Sequence, residues 1–337
     1  MKHYAGLDVS LETTAICVLD SDGQVVCEIS VLSHADDIFS ALSPYLATLA
    51  AIGLEAGPLS EFLVCGLQTK GVQAILMETR RVHAALSAIP VKTDRKDACG
   101  IANLLRMGWY QPVHLKTPAA RDLRLLLSAR ETLGRRMRDL DNSIRGLLRG
   151  FGLRFPVGVR GQLCALVREL IDGNPVLVEA LTTLLTARDA ISDQFTNLDK
   201  RVRDRACGDK VCRQLMSVPG VGAVIAMTFR AAIDDPTRFR SSKTVGASFG
   251  LTPRRYQSGE TDRSGSITKA GDASARCALY QAAHVMMVRT TKWTPLKAWA
   301  MRIAARRGAK RAKVALARKL AVIMHRMWID GTEFRSA

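Results

Sequence analysis

The chain has 337 residues, 47% hydrophobic, 24% charged and 5% aromatic, a composition that fits two or three globular domains and excludes a disordered or collagen-like chain. No apolar run approaches the ~18 residues of a membrane span, and Met1-Lys2-His3-Tyr4-Ala5 lacks the layout of a signal peptide, so a cytoplasmic protein with no membrane partner is expected. The net charge of +18 is uneven: residues 1–200 carry 22 basic and 22 acidic side chains, residues 201–337 carry 27 and 9, the outline of a nucleic-acid binder with a separate acidic site.

In chain order, residues 3–9 and 13–20 read as strands. Ser21-Asp22-Gly23 is a turn signal, and residues 25–32 read as a third strand. A helical pattern fills about 35–50, and residues 51–55 form a short fourth strand. A helix from Pro58 to about Lys70, a fifth strand over 71–77 and helices over about 79–87 and 94–107 complete an α/β layout. Eight cysteines are scattered at positions 17, 27, 65, 99, 164, 207, 212 and 277, none in a C-x-x-C pair. Reduced thiols rather than a zinc site are expected.

Four carboxylates stand at informative places. Asp8 ends the first strand and Glu55 the fourth, and sites in open α/β sheets form at strand ends. Within Val91-Lys92-Thr93-Asp94-Arg95-Lys96-Asp97-Ala98, Thr93 is a candidate helix N-cap, and Asp94 and Asp97 share one helix face at i, i+3. Alone, this stretch also fits a solvated first turn that uses its acids against the helix dipole. Together with Asp8 and Glu55 it makes a four-carboxylate site suited to Mg²⁺ or Mn²⁺. A pair of such ions about 4 Å apart stabilises in-line attack on a phosphodiester.

This order of elements, with acids at Asp8, Glu55, Asp94 and Asp97, resembles the ribonuclease-H-like fold. More narrowly it resembles the RuvC-like domain of the DEDD insertion-sequence transposases, the IS one-ten group with its IS eleven-eleven branch. Gly6-Leu7-Asp8-Val9-Ser10, Leu54-Glu55-Ala56-Gly57 and Lys92-Thr93-Asp94-Arg95-Lys96-Asp97-Ala98 carry the resemblance.

Residues 108–117 break periodicity and read as a linker. From Pro118 a long helix carries Leu126, Leu133, Met137, Leu140, Ile144 and Leu147 at coiled-coil or helical-hairpin spacing. Packing within the chain and association between protomers explain that stripe equally. Gly150 to Gly161, with Pro156, reads as a loop, followed by a short helix, the turn Asp172-Gly173-Asn174-Pro175 and a second long helix to about Arg205.

Val218-Pro219-Gly220-Val221-Gly222 resembles a helix-hairpin-helix turn, in which Gly220 and Gly222 would let backbone N–H groups approach a phosphate. Pro253 and Gly259 keep residues 249–260 out of regular helix, and the polar run to Gly271 reads as a flexible, phosphate-facing loop. Ser258 sits there beside Arg254 and Arg255, which could clamp a phosphate; a hydrogen-bonding loop serine is the plainer alternative. The run Thr-Pro-Arg-Arg-Tyr-x-Ser-Gly followed by Lys269-Ala270-Gly271 resembles the nucleophile loop of the transposase family. The family's catalytic serine falls on Ser258; Ser264 and Ser266 have no such match. Tyr256 lacks the spaced Arg and His set of a tyrosine recombinase. Residues 273–289 and 295–328 read as helices. Arg302, Arg306, Arg307, Lys310, Arg311, Lys313, Arg318 and Lys319 give the latter a backbone-binding character.

The expected organisation is an α/β RuvC-like domain over 1–115, a helical coiled-coil region over 116–207 and a mainly α, basic transposase domain over 208–337. The resemblance implies Mg²⁺-dependent DNA strand cleavage and exchange through a serine–DNA linkage. It also implies donor and target DNA as partners, a non-coding bridge RNA, a homodimer or homotetramer, and a place at the bacterial nucleoid. A metal nuclease or Holliday-junction resolvase using water needs the acids but not Ser258. A non-catalytic nucleic-acid-binding protein needs neither.

Overall fold

The computed structural model describes residues 1–87, 91–154 and 162–335. Most of the expected loop from Gly150 to Gly161, Pro156 included, lies outside the described residues. The chain divides into two compact units, Met1–Lys116 and Thr117–Ala337. The helical and basic regions expected over 116–207 and 208–337 both fall in the second.

The first unit holds β1 (His3–Val9), β2 (Thr13–Leu19), β3 (Val25–Leu32), α1 (Ala35–Leu42), β4 (Leu49–Glu55), α2 (Ser60–Thr69), β5 (Ala74–Met77), α3 (Thr79–Leu86) and α4 (Asp94–Arg106). The sheet order is β3-β2-β1-β4-β5, with β1–β2 and β2–β3 antiparallel and β1–β4 and β4–β5 parallel. The helix expected over 35–50 stops at Leu42. Pro44 seeds a 3-10 turn over Ser43–Tyr45, and β4 starts at Leu49.

Strand alternation gives the sheet two faces. Leu7, Ile16, Val18, Ile52 and Leu54 meet Ile38, Leu42, Leu63, Val64 and Leu67 of α1 and α2 on one side. The other side is built from small residues. Ala15 and Cys17 pack on Ala98 and Ala102 of α4, and Gly6 pairs with Gly53 across β1 and β4. A Cβ on Gly6 would lie 2.1 Å from the Ala98 carbonyl oxygen and 2.4 Å from the Ala102 nitrogen. The Gly6 glycine is what lets helix backbone rest directly on strand backbone.

The second unit begins with α5 (Pro118–Gly150), α6 (Leu163–Ile171) and α7 (Pro175–Gly208). Pro118 and Pro175 each occupy the first helical turn, and Thr117 and Asn174 cap the amides of Ala120 and Leu177. Helices α5 and α7 pair antiparallel. Ile144 and Leu148 meet Leu177, Leu181 and Leu185 at one end, with Val167 of α6. Gly134 admits the Phe195 ring midway, and Leu123 joins Val202 and Ala206 at the other end. Two ion pairs punctuate the seam: Arg188 Nε to Asp141 at 3.0 Å and Arg130 Nε to Asp199 at 2.5 Å. Of the expected stripe, Ile144 is buried in this seam and Leu126, Leu133, Met137 and Leu140 are half-buried. Only its last position departs from the expectation: Leu148 is buried and Leu147 is exposed.

Next come α8 (Lys210–Met216), α9 (Ala223–Ile233), α10 (Ser242–Ser248), β6 (Pro253–Ser258), β7 (Thr261–Ile267), α11 (Ala273–Val288), α12 (Pro295–Arg307) and α13 (Ala309–Asp330). Their core gathers Leu215, Phe229, Ile233, Val245, Leu279, Met286, Leu316, Leu320 and Met324. The single helix expected over 295–328 is two, divided at Gly308, whose φ of 82° and ψ of 155° close off helical continuation. His325 is fully buried. Its Nε2 lies 3.0 Å from the Pro236 carbonyl, which can only accept, so Nε2 carries the hydrogen and Nδ1 accepts from the Ser242 hydroxyl at 2.9 Å.

Candidate catalytic sites

The acidic site grows from the close approach of α4 to the sheet. Asp8 follows Gly6 by two residues on β1, and Glu55 follows Gly53 by two on β4, so each acid shares a sheet face with the glycine that precedes it. That is the face α4 covers. Since Ala98 sits on Gly6, the preceding turn, with Asp94 and Asp97, lies beside Asp8. Thr93 caps this turn by accepting from the Lys96 amide at 3.3 Å. The expected cap is thus present, in the same turn that carries the two aspartates.

The electrostatics report the clustering. Burial, then the Asp97, Asp94 and Glu55 carboxylates, push the Asp8 carboxyl up to about 6, partly opposed by Lys92. Burial also raises Glu55, offset by the Thr79 hydroxyl, His83 and Lys92. Lys92 Nζ lies 3.7 Å from Asp97 Oδ2. Asp97 is half-buried and Asp94 exposed. Among the described residues no three His, Cys, Asp or Glu side chains converge at metal-ligand spacing in this conformation. The four acids therefore sense one another without being closed around one point. A cavity of about 280 Å³ opens between Asp8 and Glu55, walled by Val9, Leu11, Pro58 and Ser60. Thr79, His83 and Lys92 are members of this site that sequence reasoning missed. For the first two the available signal was their place on the helix directly after β5.

Ser258 stands in a different setting from the one expected. The stretch is an antiparallel hairpin, with Ser258 paired to Thr261, Gln257 to Asp262, Tyr256 to Arg263 and Arg255 to Ser264, and a register shift between Arg255 and Pro253. Gly259, at φ 54°, takes the first position of the two-residue turn, where a left-handed residue matches strand twist. Every residue of β6 is exposed. The root of the hairpin is rigid instead. A Cβ on Gly250 would meet the Ala270 nitrogen at 2.3 Å, one on Gly271 the Ser248 oxygen at 1.9 Å, and Arg276 donates to the Phe249 and Ala270 carbonyls at 3.0 Å each. Lys269 adopts φ 55° at that root and is exposed.

The two arginines beside Ser258 part company. Arg255 is locked to Asp262 by two bonds, Nε at 2.8 Å and Nη2 at 2.6 Å, so it is not a ready phosphate clamp. Arg254 lies on the opposite hairpin face. The glycines of the 218–222 turn also differ. A Cβ on Gly220 would strike the Ala282 oxygen at 2.6 Å, so this glycine serves packing against α11 rather than an open phosphate site. Gly222 is exposed with open space around it, at the N-cap of α9. Arg306, Arg307, Lys310 and Arg311 flank the Gly308 break and are all exposed.

Among the described residues no helix is long and apolar enough to cross a membrane. A DEDD transposase model of the IS110 type matches residues 5–152, spanning all four acids. A model described as the transposase IS116/IS110/IS902 family matches residues 212–298, spanning the 218–222 turn and the Ser258 hairpin. The transposase for insertion sequence element IS1111A of Coxiella burnetii is 27% identical over 332 residues, 95% of this chain and 87% of its own length. The transposase for insertion sequence element IS1328 of Yersinia enterocolitica is 26% identical over 300 residues, 87% and 88% of the two chains. A putative transposase of Sinorhizobium fredii, y4pF/y4sB, is 30% identical over 254 residues, 73% of this chain and 65% of its own. An α/β unit with acids at adjoining strand ends and a helical unit with an exposed serine hairpin are thus each matched by a transposase model, and the chain belongs to the IS110/IS116 family of DEDD transposases.

Proposed function

We propose that this DNA transposase moves its insertion sequence by metal-dependent strand cleavage with Ser258 as nucleophile. Asp8, Glu55, Asp94 and Asp97 hold Mg²⁺ or Mn²⁺ on a RuvC-like, ribonuclease-H-like frame. What supports this fit is the donor set itself: hard carboxylate oxygens on a half-buried site, where burial first and the neighbouring carboxylates second lift Asp8 to about 6, would be relieved by a divalent cation. When bound, the ion supplies electrostatic stabilisation of charge on the phosphate. Lys92 offers the cluster one positive charge, from 3.7 Å off Asp97, of the sign that a bound ion would supply more strongly.

Ser258 Oγ attacks the scissile phosphorus, and its proton passes to solvent. A bond forms from Oγ to phosphorus as the bond to the leaving deoxyribose oxygen breaks, and that oxygen takes up a proton. A strand hydroxyl later reverses the exchange, so no outside energy source is needed. Arg254, rather than Arg255, is the hairpin arginine of the original pair that remains available to the phosphate. Gly222, Lys269 and the exposed Arg306, Arg307, Lys310 and Arg311 contribute backbone contacts. Donor and target DNA are chosen through base pairing with a non-coding bridge RNA, a reading supported by family resemblance and by the basic last third. The working assembly is a homodimer or homotetramer.

The observation that carries this reading is the exposed hairpin that presents Ser258 at its tip, within the segment matched by the family model. The test is Ser258→Ala beside Asp8→Asn on element-end DNA with Mg²⁺ and the element's own RNA. A covalent protein–DNA adduct in the wild type, lost in both variants, is the expected result. Cleavage that survives Ser258→Ala points instead to a water-using nuclease.

A further inference from the structure

The Ser258 hairpin has two unlike faces. Cross-strand partners point to the same side. The pairs Ser258–Thr261 and Tyr256–Arg263 therefore share one face, and Gln257–Asp262 and Arg255–Ser264 the other. Arg254 joins the first face: a Cβ on Gly265, two residues beyond Arg263, would lie 3.8 Å from the Arg254 Cβ. The second face closes on itself through the bidentate Arg255–Asp262 pair. The Ser258 face carries two guanidiniums, Arg254 and Arg263, that have no ion pair or hydrogen bond among the described residues. The strand positions of this face bear no carboxylate: Asp262 belongs to the opposite face and Glu260 sits in the turn. The Tyr256 ring is 66% exposed, and no ring or cation contact to it is found among the described residues.

We propose that this face is a nucleotide subsite for the DNA strand being cut. Arg263 binds the phosphate under attack, and Tyr256 stacks on a neighbouring base that has left the duplex stack. The inference rests on Ser258 being the nucleophile. Its physical content is separate: one sheet face offers a hydroxyl and, one same-face step along the hairpin, a planar cation for a bidentate phosphate contact side by side with an aromatic surface. Same-face residues on a strand are about 7 Å apart, so these groups address adjacent parts of one nucleotide step. Stacking on tyrosine tolerates any base, which suits a protein whose sequence choice is made elsewhere. Arg263 is the residue this reading adds, and Arg255 the one it removes.

Two measurements on the full-length protein test it. In a Ser258→Ala background, 5-iododeoxyuridine is scanned through the nucleotides flanking the cut on element-end DNA and irradiated. The expected result is a crosslink that maps to Tyr256 from one or two adjacent positions. In the chain with Ser258 intact, Arg263→Ala is expected to slow covalent adduct formation by about 10²–10³-fold, with Arg263→Lys between the two. Replacing the attacked phosphate by a methylphosphonate is expected to shrink the Arg263→Ala effect. The double variant Arg255→Gln with Asp262→Asn, which dissolves the opposite face, changes the rate by less than about threefold under the same reasoning. The proposal is overturned if Arg263→Ala behaves like that double variant, or if no flanking position crosslinks to Tyr256. Failure of the nucleophile reading looks different: cleavage persists in Ser258→Ala, whatever the crosslinking shows.

Discussion

Gly6→Ala is a one-atom test of how the acidic site is held together. The added Cβ would sit 2.1 Å from the Ala98 oxygen and 2.4 Å from the Ala102 nitrogen, whereas ordinary contact starts near 3.4 Å. Both obstacles are backbone atoms of α4, so no side-chain rotation relieves them. The helix must back away by about 1.3 Å, the shortfall at Ala98. Overpacking of this kind costs about 1–3 kcal/mol, and the upper end applies where helix backbone must move. The same displacement carries Asp94 and Asp97 off Asp8, and an error of about 1 Å in a reacting constellation costs on the order of 10²-fold in rate. Guanidinium unfolding and strand cleavage should therefore both suffer in Gly6→Ala. Gly57→Ala is the matched control: it lines the same cavity, but its Cβ would meet nothing nearer than 4.0 Å. Wild-type stability and cleavage in Gly6→Ala would refute the claim that strand–helix backbone contact positions the acids.

Three further outcomes follow from other parts of the molecule. Because Asp8 titrates near 6 in the fold against 3.8 in an unfolded chain, the folded metal-free protein holds the extra proton between those values and loses stability as pH rises through them. Mn²⁺ or Mg²⁺ should reverse this loss, raising Tm more at pH 7.5 than at pH 5, and Asp8→Asn should abolish that difference; an equal shift at both pH values would contradict it. For His325 the sign is opposite. Burial, with Arg238 nearby and despite the bond to the Pro236 carbonyl, holds its pKa below 6.5, so its stabilisation is present above that value and disappears as pH falls. His325→Asn should flatten the fall in Tm between pH 7 and 5, and parallel curves for the two proteins would count against the assignment. In the α5–α7 seam, Asp141→Ala removes the 3.0 Å partner of Arg188 while Asp189 stays 3.7 Å away, and should cost about 2 kcal/mol in urea unfolding, whereas Asp141→Leu with Arg188→Met should recover most of it; a cost below about 1 kcal/mol would show the pair to be solvent-like.

The first unit was legible because its pattern is local. Alternating apolar residues mark β1 and β2, and acids at strand ends with a capped turn mark the site. The residues that complete the site were not legible, since Thr79, His83 and Lys92 matter only through the packing of α3 and α4. The role of Gly6 was hidden for the same reason: a glycine in a strand reads as weakness until the helix that needs it is in view. In the second unit the error at Leu147 came from extending a heptad across a seam that also admits Gly134, Arg130 and Asp141. The hairpin around Ser258 was hidden because its strands have neither alternation nor burial, and their polar residues suit a loop equally well. Gly308 showed no sign of breaking a helix within an alanine- and cation-rich run, and only its backbone angles reveal the corner.

The contrast between the tip and the root of the Ser258 hairpin has a consequence for evolution. Residues 253–267 make almost no packing contacts, so substitutions there leave the fold standing and alter only what the strand meets. Gly250, Gly271 and Arg276 form a root in which nearly any replacement collides with backbone or strands a carbonyl. Selection can therefore vary the tip by small steps at no cost to the fold. Lineages that have lost mobility should betray it first there, where decay is structurally silent, and last at the root.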